Sequence, residues 1–338
     1  MRALLALAAA ALAVLGAGCD NDLPVASFID KLRVLAVKAE PPEIAPGATA
    51  ALSALAVEPA HPEGPTAPLS ALWLACSIPP GVASPPPCGL DAGQLDGTQL
   101  PPACDGGASG SLCVLSTTLD AELTPAVGVL GADVSTELLV TVAIADTGAG
   151  AAACLLDTAQ NGGLPTEPDH CVISIKRVTV RDPLRADADH PFAAPNTNPG
   201  LDRLDLLDDD GTVRSLLAGD ATVPAAGSDG TSRMLSTLRS EASAEQKPDG
   251  TFEALSLSWF TTGGKIDGGR STFDPPGCTS QTDCAATPPV TSAETTWDAP
   301  TATTAQTQVD PDGRLRFWAV LRDDRGGVGW VQGALGVQ

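Results

Sequence analysis

The stretch LRVLAVKAEPPEIAPGATAALSALAVEP, residues 32–59, decides the fold class. Its first six residues alternate as a β-strand should, PPEIAPG supplies a turn, and TAALSALAVEP has the pattern of a second strand. Proline and glycine between two such runs are typical of a hairpin. This stretch therefore predicts antiparallel β-structure.

Further runs of this kind lie on both sides of one irregular stretch. Residues 183–200 (PLRADADHPFAAPNTNPG) hold prolines and acids without periodicity, and we place a domain boundary there. Near the end of the chain, DDRGG (323–327) is predicted to be a hairpin turn. Strands at this spacing predict a sandwich or barrel with roughly seven strands in each half. The clearest predicted strands are 32–37, 49–59, 69–78, 138–146, 171–182, 255–260, 314–322 and 327–337.

The leader indicates export and lipid attachment. Residues 1–18 carry one positive charge, an apolar stretch and small residues before Cys19, and they are too short to span a bilayer as a stable helix. The position of Cys19 resembles a bacterial lipobox, although Gly16 stands where Leu is usual, and an ordinary secretory peptidase would also suit this segment. Nine cysteines leave one unpaired in an exported protein, which favours lipidation of Cys19 over a free or intermolecular thiol.

Together these features predict an all-β protein with two antiparallel β-sandwich domains after an N-terminal signal peptide. We expect the lipid on Cys19 to be the membrane contact, because no second long apolar run occurs. The predicted organisation is a lipoprotein signal peptide (1–18), the lipidated cysteine with a tether (19–30), a sandwich with disulfide-stapled loops (31–182), a linker (183–200) and a second sandwich (201–338).

The charge of the chain excludes one class of partner. It holds 19 Lys and Arg against 41 Asp and Glu, a formal net charge of −22 at pH 7. A surface of this sign repels phosphate backbones and anionic headgroups, so nucleic acid is not an expected partner.

The eight cysteines after Cys19 are disulfide candidates, as expected for an exported, loop-rich chain. They fall as local pairs, but the six in the first half allow 15 pairings on paper, so their connectivity stays open. Only two of the candidate cysteines lie in the second half of the chain, so the pairing of these two with each other is the firmest of the predicted disulfides. A zinc site is not expected, because no CxxC and only three histidines occur. The candidates are Cys76, Cys88, Cys104, Cys113, Cys154, Cys171, Cys278 and Cys284.

Two acidic runs resemble pieces of calcium loops, one at 208–211 (DDDG) and one around Asp310 and Asp312. Neither has acids at all the positions that an EF-hand requires. Solvated turns are the favoured interpretation, and a calcium-stiffened surface spacer is kept as an alternative.

One motif suggests catalysis. Asp146-Thr147-Gly148 follows an apolar run, as the catalytic carboxylate of an aspartic protease does, but such an enzyme needs two facing loops, and a dimer would have to supply the second. Residues 148–153 also fit a GxGxxA fingerprint, yet the following stretch is judged too short and too rich in Gly and Pro for the required helix. We therefore predict no enzyme, no catalytic residue, no cofactor and no metal, with a dimeric aspartic-protease-like hydrolase as the alternative.

The tryptophans are predicted to belong mainly to the core. Trp73, Trp259, Trp318 and Trp330 lie in predicted strands. Trp297, in TTWDAP, is the one for which carbohydrate stacking stays open beside core packing.

The two ends of the chain resemble the Ig-like-fold lipoproteins of myxobacteria and related envelope-rich bacteria. The residues that carry the resemblance are the quoted stretch 32–59 and, near the end, SWFTTGGKID, TTWDAP and FWAVLRDDRGGVGW. The order of Trp73 and Cys76 departs from antibody domains. The resemblance implies that both sandwiches are Ig-like antiparallel β-sandwich domains on the cell envelope, with the outer membrane as the expected location and no activity attached. By fold analogy, we expect a binding or scaffold module with a protein or glycan partner in the envelope.

Overall fold

The structure is a computed structural model, and it describes residues 26–61, 67–78, 85–90, 100–131, 133–182, 195–224, 232–246, 250–275, 277 and 285–337. Within these ranges the chain is built mainly from β-strands that form four sheets. No helix among these residues has the length and apolar character needed to cross a membrane. The predicted all-β class is confirmed.

Two sheets make up the first sandwich, within residues 31–182. Every strand pair in them is antiparallel except β2 with β8. The three-stranded sheet has the order β1 (Arg33–Glu40), β3 (Ala50–Val57), β6 (Asp120–Leu123), and the five-stranded sheet has the order β2 (Glu43–Ile44), β8 (Cys171–Arg181), β7 (Ser135–Ala145), β4 (Ser70–Ser77), β5 (Cys113–Ser116).

Strand β4 is buried on both faces, which explains its nearly unbroken apolar sequence. Trp73 points into the space between the two sheets, while Leu72 and Leu74 lie in a second apolar cluster on the outer face of the five-stranded sheet. Helix α1 (Gly150–Gln160) covers that outer face with Leu155, which is fully buried. A strand with one buried face alternates apolar and polar residues, whereas a strand buried on both faces has a continuous apolar sequence.

A helix that was not expected from the sequence follows the apolar run 138–146, since α1 begins at Gly150. This helix is rich in Ala and Leu, which favour helix, but it has only 11 residues, so it depends on packing against β4 and β7. It returns the chain to β8, which runs antiparallel to β7. The connection is therefore not the parallel crossover of a dinucleotide-binding unit.

The second sandwich, within residues 201–338, also consists of two sheets. Only β11 with β18 is parallel. Short helix α2 (Ala302–Gln308) and a 3₁₀ turn (Glu241–Ser243) complete the described elements. One sheet has the order β10 (Val213–Ser215), β9 (Leu201–Leu207), β12 (Ser232–Arg239), β16 (Ser292–Asp298), β14 (Lys265–Asp267), and the other β11 (Thr222–Val223), β18 (Val328–Val337), β17 (Arg314–Arg322), β13 (Ser256–Thr261), β15 (Arg270–Thr272).

Large aromatic rings fill the core of the second sandwich. Trp297 is fully buried, its ring meets Phe317 edge-on at a centroid distance of 5.2 Å, and its Nε1 donates to the Gly263 carbonyl at 2.9 Å. Gly264 lies directly beneath this indole with a φ of +75°, and a side chain there would collide with the ring. Trp297 is thus a core residue, which excludes the carbohydrate-stacking alternative.

Disulfide bonding is confirmed in the first sandwich. Each of the six described cysteines bonds to its nearest neighbour along the chain, in the pairs Cys76–Cys88, Cys104–Cys113 and Cys154–Cys171. The last pair ties α1 to β8. Cys19, Cys278 and Cys284 lie outside the described residues.

Candidate functional site

The two sandwiches meet through the outer faces of two sheets, and this contact is called the domain junction below. Leu35 and Leu55, on β1 and β3, belong to one buried apolar cluster with Trp318, Val320 and Val328, on β17 and β18. Both faces would otherwise expose large apolar side chains to water. Their burial supplies the hydrophobic part of the attraction between the sandwiches.

The turn between β17 and β18 inserts into the junction rather than into solvent. Arg325, at its tip, donates to Glu43 of the first sandwich at 2.8 Å, and to Glu245 at 2.8 Å and Glu253 at 3.2 Å in the second. Arg181 forms a further ion pair with Glu43, which is itself buried. One guanidinium therefore binds three carboxylates, and one of them, Glu43, lies across the boundary; this geometry makes Arg325 costly to remove.

The end of the predicted linker is packed into the same junction. The Asn196 N–H donates to Glu43 at 2.8 Å, and the Asn198 side chain donates to the Ala39 carbonyl at 2.7 Å and accepts from the Val328 N–H at 2.8 Å. Beside them, the backbone of Pro199 lies so close to Gly329 that no side chain would fit there. Residues 195–200 thus bind both sandwiches and do not act as a free spacer.

The end of the predicted tether is likewise docked on the second sandwich. The Ile29 N–H donates to the Thr261 carbonyl at 2.9 Å, and the Thr261 N–H donates to the Ser27 carbonyl at 2.9 Å. Ile29 is also buried in the apolar cluster of the junction. The chain therefore touches the second sandwich before it enters the first, and this differs from the expectation of a tether up to residue 30.

Burial of charge at the junction changes the pKa of several groups. Burial, and then the charges of Asp323 and Glu245, raise the pKa of Glu253 to about 7. Burial also raises the pKa of Asp323, and it lowers the pKa of Lys176 to about 8. Lys176, on β8, donates to the Gly326 carbonyl across the boundary. The junction thus holds groups whose charge changes near neutral pH.

Asp146 lines a separate cavity of about 360 Å³ beside the junction. Its carboxylate lies 3.0 Å from His170 Nδ1, and this hydrogen bond raises the pKa of His170 above its ordinary value. Glu58 shares the cavity, and burial, followed by the charge of Asp146, raises its pKa. A salt bridge of 3.2 Å between Lys31 and Asp169 lies at the rim.

The chemistry available in this cavity is proton binding. Asp146 holds one ring nitrogen of His170, an orientation suited to a base, but the described lining includes no Ser, Thr or Cys that the base could activate. Within the described ranges, no three His, Cys, Asp or Glu side chains are arranged to hold a metal ion. The partner of Asp146 is thus an imidazole, and not the second carboxylate that an aspartic protease requires.

In each acidic run considered for calcium, one carboxylate binds arginine: Asp208 in the first run and Asp310 in the second. Asp208 accepts from Arg214 at 2.6 Å and from Arg233 at 2.8 Å, and these bonds lower its pKa against the effect of burial. Asp310 accepts from Arg316 at 2.5 Å and from the Asp312 N–H at 2.9 Å. These two side chains form local ion pairs, and Asp310 is buried rather than solvated.

Sequence reasoning missed the junction. Glu43, Glu253 and Arg325 are charged residues in stretches whose composition is typical of exposed turns. Their partners lie up to 282 residues away along the chain. The one available signal was Trp318, an aromatic residue on the face of β17 that also carries Val320. An apolar outer face on an otherwise closed sandwich indicates a covering partner.

No protein-family model matches the chain, and no curated protein sequence matches it. Among solved structures, Salmonella alpha-2-macroglobulin reacted with methylamine is similar at 9% identity and a TM-score of 0.23, covering 91% of this chain. This chain spans only 17% of that protein's length. The fibronectin(III)-like modules of Clostridium thermocellum CbhA are similar at 11% identity and a TM-score of 0.22, covering 89% of this chain and 93% of theirs. Similarity at these TM-scores carries no argument about function.

Proposed function

We propose that this protein is a non-enzymatic, lipid-anchored module of the cell envelope that holds a protein or glycan partner at the membrane, with the outer membrane as its location. The leader ending at Cys19 supports the anchor, and the resemblance of both chain ends to envelope lipoproteins supports the location. The two β-sandwiches supply a stable frame for binding loops and strand edges.

The observation that carries this proposal is the domain junction. Arg325, Asn196 and Ile29 each link the two sandwiches, so the pair behaves as one body. Ser27 lies eight positions after Cys19 in the sequence, and a chain of that length reaches at most about 30 Å. An anchor at Cys19 would therefore hold this body close to the bilayer, as a scaffold requires.

The first test is the intact mass of the protein from its native envelope, with and without reduction and alkylation. A mass excess of several acyl chains on Cys19 is expected, with the other thiols open to alkylation only after reduction. Cys19→Ser is the matched control, and it should leave the envelope fraction. An unmodified Cys19 would overturn the lipid anchor.

The second test is photo-cross-linking in living cells of the native host. A binding module predicts one dominant cross-linked product whose yield falls when cross-linker positions move from the loops to the buried junction. Products spread evenly over many proteins would contradict a specific partner.

A further inference from the structure

Positive charge is missing from most of the first sandwich. From Ala39 to Ile175 the sequence has no Lys or Arg, while fifteen Asp or Glu occur in the same stretch. The basic residues of this sandwich lie on β1 and β8 or just before β1, and most already pair with acids or with the second sandwich. They are Lys31, Arg33, Lys38, Lys176, Arg177 and Arg181.

This distribution polarises the sandwich. Strand β1 is at one edge of the three-stranded sheet and β6 at the other, while β8 and β5 lie toward opposite sides of the five-stranded sheet. The cations therefore lie on the β1 and β8 side, beside the second sandwich. The side formed by β5 and β6 carries acids without any Lys or Arg. A cationic partner would meet uncompensated negative charge there.

A groove of about 820 Å³ opens on that acidic side, and it is called the β6 groove. Strands β3 and β6 line one wall, and β5 with residues 103–108 lines the other. The Cys104–Cys113 disulfide and the bridges of Ala103 with Val114 and of Ala108 with Pro125 hold the second wall in place. The groove is thus formed before any partner arrives, which limits the entropy lost on binding.

The charges of the groove all have one sign. The part of its lining that the structure describes includes Asp120 and Glu122 and no Lys, Arg or His. Both acids are exposed, and neither has an ion-pair partner among the residues that the structure describes. An acidic groove of this kind would attract a cationic ligand.

The backbone of the groove favours an extended ligand. Strand β6 is at the edge of its sheet and pairs only with β3 among the described strands. Edge strands can accept an added strand, with backbone hydrogen bonds for affinity and alternate side chains for specificity. Asp120 and Glu122 would repel a second copy of β6 and attract basic side chains at alternate positions of an incoming strand.

We propose that the β6 groove binds an extended, basic segment of a partner polypeptide, which adds as a strand beside β6. The inference deepens the proposed function, because it names the surface and the chemistry of the partner. Lys or Arg side chains at alternate positions pair with Asp120 and Glu122, while the intervening small or apolar side chains face the apolar wall that includes Val114.

The test measures binding of a fluorescent ten-residue peptide of alternating Lys and Val to the purified full chain at low ionic strength. Glu122→Lys is expected to weaken binding about tenfold, because it replaces an attraction by a repulsion at the rim. Glu167→Lys makes the same change of charge at an exposed site outside the groove, and it should alter the affinity less than twofold. Glu122→Gln should show an intermediate loss and guards against misfolding of the lysine variant.

One further peptide separates strand addition from charge attraction alone. The same Lys and Val peptide with every backbone nitrogen methylated keeps the charge but has no backbone N–H to donate, and it should bind at least about fivefold more weakly. The Lys and Val peptide should also slow amide exchange within Ala121–Leu123. The proposal would be overturned if Glu122→Lys and Glu167→Lys lost the same affinity for the peptide. It would also be overturned if both peptides bound equally well, or if neither bound. None of these measurements involves Cys19, so a negative result would reject the groove proposal without bearing on the lipid anchor.

Discussion

The two sandwiches have the same architecture but different amino-acid compositions. Residues 31–182 contain a single aromatic residue, Trp73, and six cysteines, whereas residues 201–338 contain eight aromatic residues and two cysteines. The first core is built from Leu, Val, Ile and Ala around Trp73, and the second is built around Trp259, Trp297 and Phe317.

This difference shows two ways of stabilising a β-sandwich. Large rings each bury 150–250 Å² and contribute through the native state. Disulfides act mainly by restricting the unfolded chain, so they can offset a core of smaller side chains. Two of the disulfides of the first sandwich, Cys76–Cys88 and Cys104–Cys113, tie the connection between β4 and β5 to those strands, and the third joins α1 to β8. Four changes test this contrast.

The largest effect is expected from Trp297→Ala. The substitution leaves a cavity beside Phe317 and removes the hydrogen bond to Gly263, so the free energy of unfolding should fall by about 4 kcal/mol. Urea denaturation followed by circular dichroism measures the loss. Met234→Ala is the matched control on the exposed face of β12, where a change below about 0.5 kcal/mol is expected. A loss below about 1 kcal/mol at Trp297 would mean that rings do not dominate this core.

In the first sandwich, the counterpart is removal of the Cys154–Cys171 bond. Its partners are 17 residues apart, and a closed loop of that size contributes about 3 kcal/mol. The double variant Cys154→Ala and Cys171→Ala should lose that amount in the same denaturation experiment. The Cys104–Cys113 pair closes only 9 residues, and its removal should cost about 0.5 kcal/mol less. A reversed order would show that the bonds act through native packing and not through the unfolded chain.

A third change tests whether the two sandwiches unfold together. Arg325→Met leaves Glu43, Glu245 and Glu253 without their shared cation, and the partly buried site should lose about 2–3 kcal/mol. We expect one unfolding transition in the native protein and two in the variant, as measured by calorimetry. Arg270→Met, on the exposed edge strand β15, should leave a single transition. If the native protein already showed two unfolding transitions, the two sandwiches would not behave as one body.

The strands were predictable because their signal is local. Residues 314–322 and the run 171–182 alternate over many positions, and the structure has β17 and β8 within one residue of those limits. The DDRGG turn was also predicted as a turn, since glycine supplies the positive φ found at Gly326. Period and turn chemistry act within a few residues, so a sequence displays them directly.

The helix and the junction were not predictable on the same grounds. Helix α1 begins with glycine and depends on β4, β7 and a disulfide for support. Glu253 and Arg325 meet only because β17 and β18 bring their turn beside the loop after β12. Such pairings between distant segments leave no periodic trace, and buried acids look like solvated ones until their partners are placed. The docking of Ile29 on the second sandwich was missed for the same reason.

The smallest effect concerns pH and Glu253. Its pKa is raised to about 7 in the folded state from an ordinary value of 4.5, so the folded chain retains this proton while the unfolded chain releases it. The corresponding stability is fully present below pH 4.5 and is lost as the pH rises to about 7. Glu253→Gln cannot lose a proton, so relative to the native protein it should gain stability between pH 5 and pH 8, by about 1 kcal/mol once the shift is discounted for solvent screening.

The measurement is urea denaturation of both proteins across that range, with the difference between them as the observable. Asp323, Glu245, Arg325 and Lys176 are present in both proteins, so the difference between the two reports what the Glu253 charge adds together with its interactions with these neighbours. Glu241→Gln, in the exposed 3₁₀ turn, should show no such trend. A flat difference would mean that Arg325 keeps Glu253 ionised at neutral pH, and that the junction is held by a full set of three charged carboxylates.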